Sequence, residues 1–590
     1  MQIFLDNFII KYIEFYSLNY SKIHNSPLLF SKLKTHTKNI PDFYFFSLKL
    51  ACSLILIGYY FILFISFKKI NYFMYFKFLI NFNLTITNNL FKFFENLINI
   101  IDIDKSKVKD TRISKSNFNL NLDNKLIYDF IIVGSGPGGS IIANKLHKQQ
   151  KNFLILDSGS LSSTNAYSYE EILNKYMNSG ITVTYGNSLI SLAQAECVGG
   201  GSEINSGLFH KIPKSILDEW ESNFNLKIDN DNISKQTYNK IIKDLSIQNY
   251  KYETHIPEQA KILLKGKSKY KYISTQIPRW FKYDKVTKKY IKQSMTKTYL
   301  HKDILKNHLS EKTKAVKLFY KKNCWNIECT KNNKSIILKT KKLILSAGAI
   351  NTPYILKNSN IKKNIGNTLQ CHPTIKVTAF FNKKINNNNY EVANIQTRLN
   401  NNNKICFGSS ISTIPYLKVA MNYYPNYNKF VDENYQKMAI YYVSIKPKGY
   451  GSIHKLPFFK DPFIYYNLTE EDKVQLAFGL KELTNLLLES GAKQIFPSIK
   501  SSKIIENKKD LMKMPNNINP KLSNLFSVHL FGSCPMGENQ SKCAVDSKGK
   551  IFDFNNIYVC DSSILPTATN VNPQGPLMFL AHKISEEIIK

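Results

Sequence analysis

Residues 128–159 read YDFIIVGSGPGGSIIANKLHKQQKNFLILDSG. The apolar run at 126–133 predicts a parallel strand that is buried on both faces. It leads into a GxGxxG pattern, whose first glycine allows a tight turn, whose second allows close approach of a pyrophosphate and whose third allows helix-on-strand packing. The glycines of this pattern are Gly134, Gly136 and Gly139.

The residues after the glycines complete a nucleotide-binding unit. A helix is predicted over 140–147, with its N-terminus directed at a phosphate. A second strand is predicted at 153–156, and it ends at Asp157, which is placed to bind a ribose hydroxyl pair. Because strand, turn, helix, strand and acid occur in this order, the stretch predicts a dinucleotide site.

Composition indicates a large chain with a strongly basic balance. The 590 residues carry 80 Lys+Arg against 43 Asp+Glu, a formal net charge of +37. The excess lysines are spread among Asn, Ile, Phe and Tyr, a pattern that resembles the drift of an AT-rich genome, so no nucleic-acid partner is predicted. The nine cysteines are odd in number and widely scattered, so neither a disulfide framework nor a metal site is predicted.

The N-terminal segment 1–125 is predicted to be a membrane anchor. Residues 50–67, LACSLILIGYYFILFISF, carry no charge, and a transmembrane helix is predicted over 43–67, with a buried globular helix as the alternative. The chain is therefore expected to be a single-pass membrane protein in contact with membrane lipid. Apolar residues at helical spacing up to Ile101 predict an amphipathic helix on the bilayer or against the enzyme body, followed by a polar linker, 102–125.

Three further motifs follow the nucleotide-binding stretch. Residues 198–207 read VGGGSEINSG, in which the glycines and the serine let the backbone pass close to a planar or phosphorylated ligand. A short buried strand at 342–346 leads into the Gly-Ala-x-x-Thr-Pro pattern at 348–353. Near the C-terminus, SVHLFGSCPMG at 527–537 is followed by NPQGP at 572–576, which opens the final helix.

With these four motifs in this order, the chain from 128 to 590 resembles the glucose-methanol-choline (GMC) family of FAD-dependent oxidoreductases. The resemblance implies an α/β (α+β) fold. A Rossmann-like FAD-binding domain is expected from the discontinuous segments 126–215, 300–372 and 520–590. A substrate domain with an antiparallel sheet is expected from 216–299 and 373–519.

The same resemblance assigns the site. His529 and Asn572 are expected to face the flavin together as the catalytic pair, whereas His372 and His210 are interpreted as structural. Non-covalent FAD is expected, because members that attach flavin through histidine have His where this chain has Ile204. The residues expected to bind the cofactor are Gly134, Gly136, Gly139, Asp157, Gly199, Gly200, Gly201, Ser202, Asn205, Val316, Asp561, Pro573 and Gln574.

The implied reaction is oxidation of an alcohol CH–OH group by hydride transfer to flavin N5. An unperturbed histidine has a pKa near 6.5, which suits His529 as the general base, and Asn572 can hydrogen-bond the same oxygen. A lipophilic substrate, a long-chain or sterol-like alcohol, is expected from the predicted anchor. The alternatives are a membrane-associated sugar or polyol dehydrogenase that passes electrons to a quinone or cytochrome, a nicotinamide-dependent reductase, and a non-catalytic flavoprotein. The sequence does not decide between oxygen and a membrane electron carrier as acceptor.

Overall fold

The computed structural model describes most of the chain. The described residues are 2–20, 26–66, 75–76, 79, 85–101, 120, 122–164, 166, 168–228, 231–247, 256–265, 272–284, 289–386, 394–399 and 402–590. Most of the predicted linker 102–125 lies outside them.

The helices range from single turns to a 25-residue element. In chain order they are α1 (Gln2–Tyr20), α2 (Ser26–Lys38), α3 (Asp42–Ser66), α4 (Thr85–Ile101), α5 (Pro137–Lys148), α6 (Tyr169–Lys175), α7 (Gly201–Ile204), α8 (Lys214–Phe224), α9 (Asp231–Asp244), α10 (Glu258–Lys265), α11 (Lys302–Asn307), α12 (Gly348–Asn358), α13 (Ile414–Met421), α14 (Tyr427–Asn434), α15 (Glu470–Glu489), α16 (Lys508–Met512) and α17 (Gln574–Ile589).

The strands form two large sheets and three short ladders. In chain order they are β1 (Ile127–Val133), β2 (Phe153–Leu156), β3 (Ile190–Leu192), β4 (Tyr272–Gln276), β5 (Phe281–Asp284), β6 (Lys289–Lys292), β7 (Leu309–Ser310), β8 (Thr313–Lys321), β9 (Cys324–Lys331), β10 (Lys334–Leu345), β11 (Gln370–Cys371), β12 (Thr374–Phe381), β13 (Ile395–Leu399), β14 (Asn402–Ser409), β15 (Met438–Ile445), β16 (Gly451–His454), β17 (Phe463–Tyr466), β18 (Ala492–Pro497), β19 (Leu525–Ser527), β20 (Leu530–Phe531) and β21 (Ile557–Val559).

The first sheet contains the predicted nucleotide-binding unit. Its strand order is β7-β2-β1-β10-β9-β8, and β21 pairs with the second half of β10. Strand β1 is parallel to both β2 and β10, so the predicted central parallel strand is confirmed. The hairpins β8–β9 and β9–β10 turn through residue pairs with positive φ, Lys322–Asn323 and Asn332–Asn333, which suits two-residue turns between antiparallel strands.

Glycine is required where β1 meets α5. Gly134 has a φ of +99°, and a Cβ there would lie 2.2 Å from the carbonyl oxygen of Ser346. A Cβ on Gly139 would lie 2.1 Å from the carbonyl oxygen of Gly134, so this glycine lets α5 pack directly on the strand end. The helix begins at Pro137, three residues before the predicted start, since proline suits the first turn.

The second sheet is largely antiparallel. Its strand order is β3-β19-β12-β15-β14-β13-β4, with β18 also paired to β12. Strands β3 and β19 come from the predicted FAD-binding segments but pair here, parallel to each other. Conversely, α8 and α9 lie in the predicted substrate segment 216–299, yet Trp220 and Ile241 pack in the core of the first sheet. Each of the two sheets therefore contains or packs against segments that the sequence assigned to the other domain.

The N-terminal helices pack against one another and against the rest of the chain. Helix α3 covers 42–66, and its Cys52, Ile55 and Leu56 are buried in a core shared with α1 and α4. At the start of α3, Phe43 makes edge-on ring contacts with Phe459. Among the described helices, none is long and apolar enough to cross a membrane. The transmembrane helix predicted at 43–67 is therefore not supported, and part of its apolar run, at Cys52, Ile55 and Leu56, packs against protein.

Helix α4 confirms the predicted amphipathic helix and shows which surface it covers. Its apolar face is buried, and its polar side chains contact the loop and helix after α13. Asn422 donates to Asn96 at 2.9 Å, and the hydroxyl of Tyr427 donates to Glu95 at 2.5 Å. The helix therefore packs against the enzyme body rather than standing apart from it.

Candidate active site

A cavity of about 1210 Å³ lies between the two sheets. The first sheet contributes the GxGxxG turn, the end of β2 and part of β8. The second sheet contributes one face of β12, β13, β14 and β15, and the segment around His529 closes the cavity between them. Each of the four sequence motifs thus contributes lining residues.

The first motif and Asp157 form one hydrogen-bonded unit. Ser135 donates to Oδ2 of Asp157 from its backbone nitrogen at 2.9 Å and from its hydroxyl at 2.5 Å. The nitrogen of Gly159 donates to Oδ1 at 2.9 Å. Burial raises the pKa of the Asp157 carboxyl, and the bonds from Ser135 and Gly159 oppose that rise. Asp157 therefore holds the glycine turn in place while it lines the cavity at the expected ribose position.

The glycines of the first two motifs divide into two groups. Gly134, Gly136, Gly200 and Gly201 line the cavity, whereas Gly139 and Gly199 do not. Gly199 instead donates its nitrogen to the Ser135 hydroxyl at 2.9 Å, which ties the second motif to the first.

Ser202 and Asn205 connect the second motif to its surroundings. Both residues line the cavity. The Ser202 hydroxyl donates to the carbonyl of Gly199 at 2.8 Å and accepts from the nitrogen of Met295 at 3.0 Å. The Asn205 amide donates to Oε1 of Gln574, so the motif reaches the start of α17.

The Gly-Ala-x-x-Thr-Pro motif holds Asp561. The hydroxyl of Thr352 donates to Oδ2 of Asp561 at 2.5 Å, and the nitrogen of Gly348 donates to the same oxygen at 2.9 Å. The nitrogen of Ser563 donates to Oδ1 at 2.9 Å. Asp561 follows β21 at the carboxyl edge of the first sheet, where ligands bind in parallel sheets. The remaining predicted cofactor residues, Val316, Pro573 and Gln574, also line the cavity.

The two predicted catalytic residues are in contact. Nδ2 of Asn572 lies 3.2 Å from Nε2 of His529, and Oδ1 of Asn572 accepts from Nε2 of Gln396 at 2.9 Å. On the other side of the ring, Nδ1 of His529 lies 2.9 Å from Nδ1 of His372. The structure therefore brings four side chains together, Gln396, Asn572, His529 and His372, all of which line the cavity.

Strand pairing explains why the two histidines meet. Cys371 on β11 pairs with Leu530 on β20 in antiparallel register. His372 follows Cys371 and His529 precedes Leu530, so the two histidines are the next opposed pair. They are separated by 157 residues in sequence. No local pattern in either segment indicates this pairing.

Burial favours the neutral form of both histidines of this cluster and of nearby His210. Burial lowers the pKa of His529 to about 4. Burial, with His529 and Arg398 nearby, lowers the pKa of His372 well below its ordinary value. Burial, with a smaller effect from Arg398, lowers the pKa of His210 to about 3. At neutral pH, each imidazole therefore retains a nitrogen lone pair.

Comparison with known families identifies the chain. Family models described as GMC oxidoreductase match residues 153–374 and 459–581, together more than half of the sequence. The chain belongs to the GMC oxidoreductase family.

The relatives of this GMC oxidoreductase include bacterial and plant proteins. An uncharacterized GMC-type oxidoreductase from Sinorhizobium fredii is 28% identical over 491 residues, which cover 80% of this chain and 96% of the relative. A long-chain-alcohol oxidase from Arabidopsis thaliana is 24% identical over 509 residues, which cover 79% of this chain and 69% of the relative. This GMC oxidoreductase is thus an FAD-dependent enzyme that acts on alcohol CH–OH groups.

Solved structures share its fold. A formate oxidase from Aspergillus oryzae RIB40 superposes with a TM-score of 0.61 at 13% identity, over 78% of this chain and 98% of that one. A pyridoxine 4-oxidase described as from Mesorbium loti superposes with a TM-score of 0.60 at 13% identity, over 78% and 99% of the two chains. The likeness supports the predicted α/β architecture.

The cavity of this GMC oxidoreductase fits FAD. A Cβ on Gly201 would meet nothing within 4 Å, so the backbone there faces open space. Two buried amide atoms, Nε2 of Gln574 and Oε1 of Gln194, have no hydrogen-bond partner among the described residues. Both residues line the cavity, and a flavin ring system has donors and acceptors on its edge that match such atoms. The residues that would hold FAD are those of the four motifs.

Sequence reasoning did not place two neighbours of the predicted catalytic pair. His372 was interpreted as structural, and the structure places it against His529 at the cavity wall. Gln396 was not singled out at all, and it lies on β13 between two Asn-rich stretches. The sequence around Gln396 carries no motif that could have identified it.

Proposed function

We propose that this GMC oxidoreductase removes the hydroxyl proton of an alcohol with Nε2 of His529 as the general base. The observation that carries the proposal is the hydrogen-bonded chain from Gln396 through Asn572 and His529 to His372 at the wall of the cavity.

With the Gln396 and Asn572 amides oriented as in the structure, the contacts favour one tautomer of His529. Gln396 donates to Oδ1 of Asn572, so the amide nitrogen of Asn572 faces His529. An amide nitrogen only donates, so Nε2 of His529 must accept and the ring proton sits on Nδ1. That proton points at Nδ1 of His372. The lone pair at Nε2 is therefore the one presented to the cavity beside Asn572.

In this arrangement His529 and Asn572 have different roles. The substrate hydroxyl displaces the Asn572 contact at Nε2 and donates its proton to His529, while the Asn572 amide donates to the same oxygen. The carbon loses a hydride as the C–O bond gains double-bond character, and the product is an aldehyde or ketone. FAD bound in the cavity supplies the hydride acceptor at its N5. Proton transfer of this kind contributes roughly 10²- to 10⁴-fold to a rate.

For substrate and acceptor, the relatives guide the proposal. Several plant relatives are long-chain-alcohol oxidases, which favours a substrate with an aliphatic chain and oxygen as the electron acceptor. Ile411, Phe526 and Val528 give the substrate side of the cavity apolar contacts for such a chain. FAD is proposed to be non-covalent, since Ile204 offers no nucleophilic atom in the second motif.

The decisive experiment is anaerobic flavin reduction by aliphatic alcohols in stopped flow. Wild type should bleach, and His529→Ala should bleach about 10²- to 10⁴-fold more slowly with unchanged flavin content. His582→Gln is the matched control. His582 is also buried with a pKa lowered to about 4, but it contacts Tyr299 outside the cavity. If His529→Ala reduced as fast as wild type, the base assignment would be wrong, and if no alcohol bleached wild type, a non-catalytic flavoprotein would be favoured.

The acceptor is tested separately. Aerobic turnover by an oxidase yields one hydrogen peroxide per alcohol, which peroxide measurement detects directly. A polyol dehydrogenase that uses a quinone or cytochrome would instead reduce a quinone analogue while forming little peroxide.

A further inference from the structure

The substrate side of the cavity is one face of the second sheet, and its side chains can be read from strand register. Alternate residues of a strand share a face, and directly paired residues of neighbouring strands share it too. Two rows of paired residues cross the sheet from β12 through β15 and β14 to β13. They are Lys376–Tyr442–Gly408–Gln396 and Thr374–Ser444–Cys406–Arg398. All but Gly408 line the cavity.

The first row joins the catalytic cluster to a lysine. Gln396, at one end, donates to Asn572. In the middle, Tyr442 lies across Gly408, because a Cβ on Gly408 would lie 2.3 Å from the Tyr442 hydroxyl. Lys376 stands at the other end. The reacting centre and this lysine are therefore on one continuous surface.

This face carries positive charge. Lys376, Arg398, Lys404 and Lys446 all line it. Lys446 is paired with Glu219, and the Arg398 guanidinium donates to the side-chain and backbone oxygens of Asn570 at 3.2 and 2.6 Å. The acidic residues that line the cavity, Asp157, Glu196 and Asp561, all lie on segments of the nucleotide-binding side.

Lys376 differs from the other cations. Across the part of the chain that the structure describes, its ammonium has no carboxylate partner and no hydrogen bond, and its close contact is the ring of Phe526 at 4.2 Å. Burial lowers its pKa to about 8, so the group is still largely charged at neutral pH. A buried cation without a counter-ion is costly, and an anionic ligand group at this position would remove that cost.

Strand geometry sets the distance between the two ends of the site. His372 and Lys376 are four residues apart along the β12 segment, about 13 Å at roughly 3.3 Å per residue. The lysine side chain shortens that span, so the ammonium lies on the order of 10 Å from the reacting hydroxyl. This is the length of an aliphatic spacer of several carbon atoms.

We propose that Lys376 binds a carboxylate on the substrate, so that the preferred alcohol is a hydroxy acid whose hydroxyl and carboxylate are separated by an aliphatic chain. This proposal rests on the proposed alcohol oxidation at His529 and names the substrate class of that site. The apolar side chains along the cavity contact the spacer, Lys376 pairs with the carboxylate, and the positive charge of Arg398 adds to the attraction. The terminal hydroxyl then lies between His529 and Asn572.

The experiment compares three ligands of equal chain length on the FAD-loaded enzyme. They are ω-hydroxyhexanoate, hexanediol and hexanol, and the readout is the anaerobic flavin-reduction rate as a function of ligand concentration. Wild type should show half-saturation for the hydroxy acid at least about tenfold below that for the diol. Lys376→Met should raise the half-saturation of the hydroxy acid to that of the diol, and Lys376→Arg should retain part of the preference. Equal saturation of wild type by hydroxy acid and diol would overturn the proposal.

A binding measurement separates this proposal from the proposed function. Hexanedioate has carboxylates but no hydroxyl, so its binding to the holoenzyme, measured by calorimetry, does not depend on oxidation. Binding to wild type with at least about tenfold weaker binding to Lys376→Met supports the anion site even if no alcohol is oxidised. Equal binding to both proteins, or none to wild type, refutes the anion site even if simple alcohols are oxidised.

Discussion

Nδ1 of His372 lies 2.9 Å from Nδ1 of His529, with the two rings at 86° to each other. One proton can lie between these nitrogens, and in the proposed mechanism it belongs to Nδ1 of His529 while Nδ1 of His372 accepts it. The role proposed for His372 is therefore to position the base, and the proposed acceptor of the substrate proton is His529 alone.

A pair of His372 variants tests this role. His372→Leu removes the acceptor and leaves the buried N–H of His529 unsatisfied, at a cost of about 1–3 kcal/mol, so flavin reduction by alcohol should slow about 5- to 100-fold. His372→Asn keeps an acceptor oxygen and should recover most of that loss. Stopped-flow reduction measures both. Equal rates in the two variants would show that the contact has no influence on the base.

The pH dependence of the reductive step follows from the lowered pKa of His529. The base must be neutral to accept a proton, and burial lowers its pKa to about 4. The rate should therefore be flat across neutral pH and should decrease only as the pH falls towards about 4, where Nε2 becomes protonated. A pH jump in stopped flow measures this before slow unfolding intervenes. A midpoint near the ordinary histidine value of about 6.5 would show that burial does not lower the pKa of the titrating base.

Thr352 offers a test of how the third motif supports the flavin site. Its hydroxyl donates to Asp561 at 2.5 Å, and a hydrogen bond to a charged group contributes about 1.5–3 kcal/mol. Thr352→Val, which keeps the shape but loses the hydroxyl, should lower the free energy of unfolding by about that amount and weaken FAD binding. Thr352→Ser keeps the hydroxyl and serves as the control. Denaturant titration and flavin fluorescence report the two effects, and identical behaviour of Val and Ser variants would contradict the assignment.

The sequence predicted the parts of the site that depend on local chain geometry. The strand at 153–156 and the glycine turn at 134–139 were predictable from neighbouring residues alone. The strand is a short apolar run, and the positive φ at Gly134 requires a glycine at that position. His529 and Asn572 were named through motif resemblance. They were expected to face the flavin together, and the structure places Nδ2 of Asn572 3.2 Å from Nε2 of His529.

The parts that were not predicted depend on pairing between distant segments. His372 reaches His529 through the β11–β20 ladder, and Lys376 reaches the row that ends at Gln396 through three strand pairings. Helix α3 shows that an apolar run alone does not identify its partner. The run fitted a membrane span, yet Cys52 and Leu56 are buried against α1 and α4. The composition of an apolar segment does not determine whether lipid or protein covers it.

The linkage of the flavin can be tested without any substrate. Ile204 occupies the position in the second motif where a histidine would be needed for covalent attachment, and it lines the cavity. Acid precipitation of the holoenzyme should therefore release all the flavin into the supernatant, where its absorbance is measured. Ile204→His is the informative variant, because a side chain with a nucleophilic nitrogen at this position should retain part of the flavin in the pellet. Flavin that stays in the pellet of wild type would show that another residue attaches it.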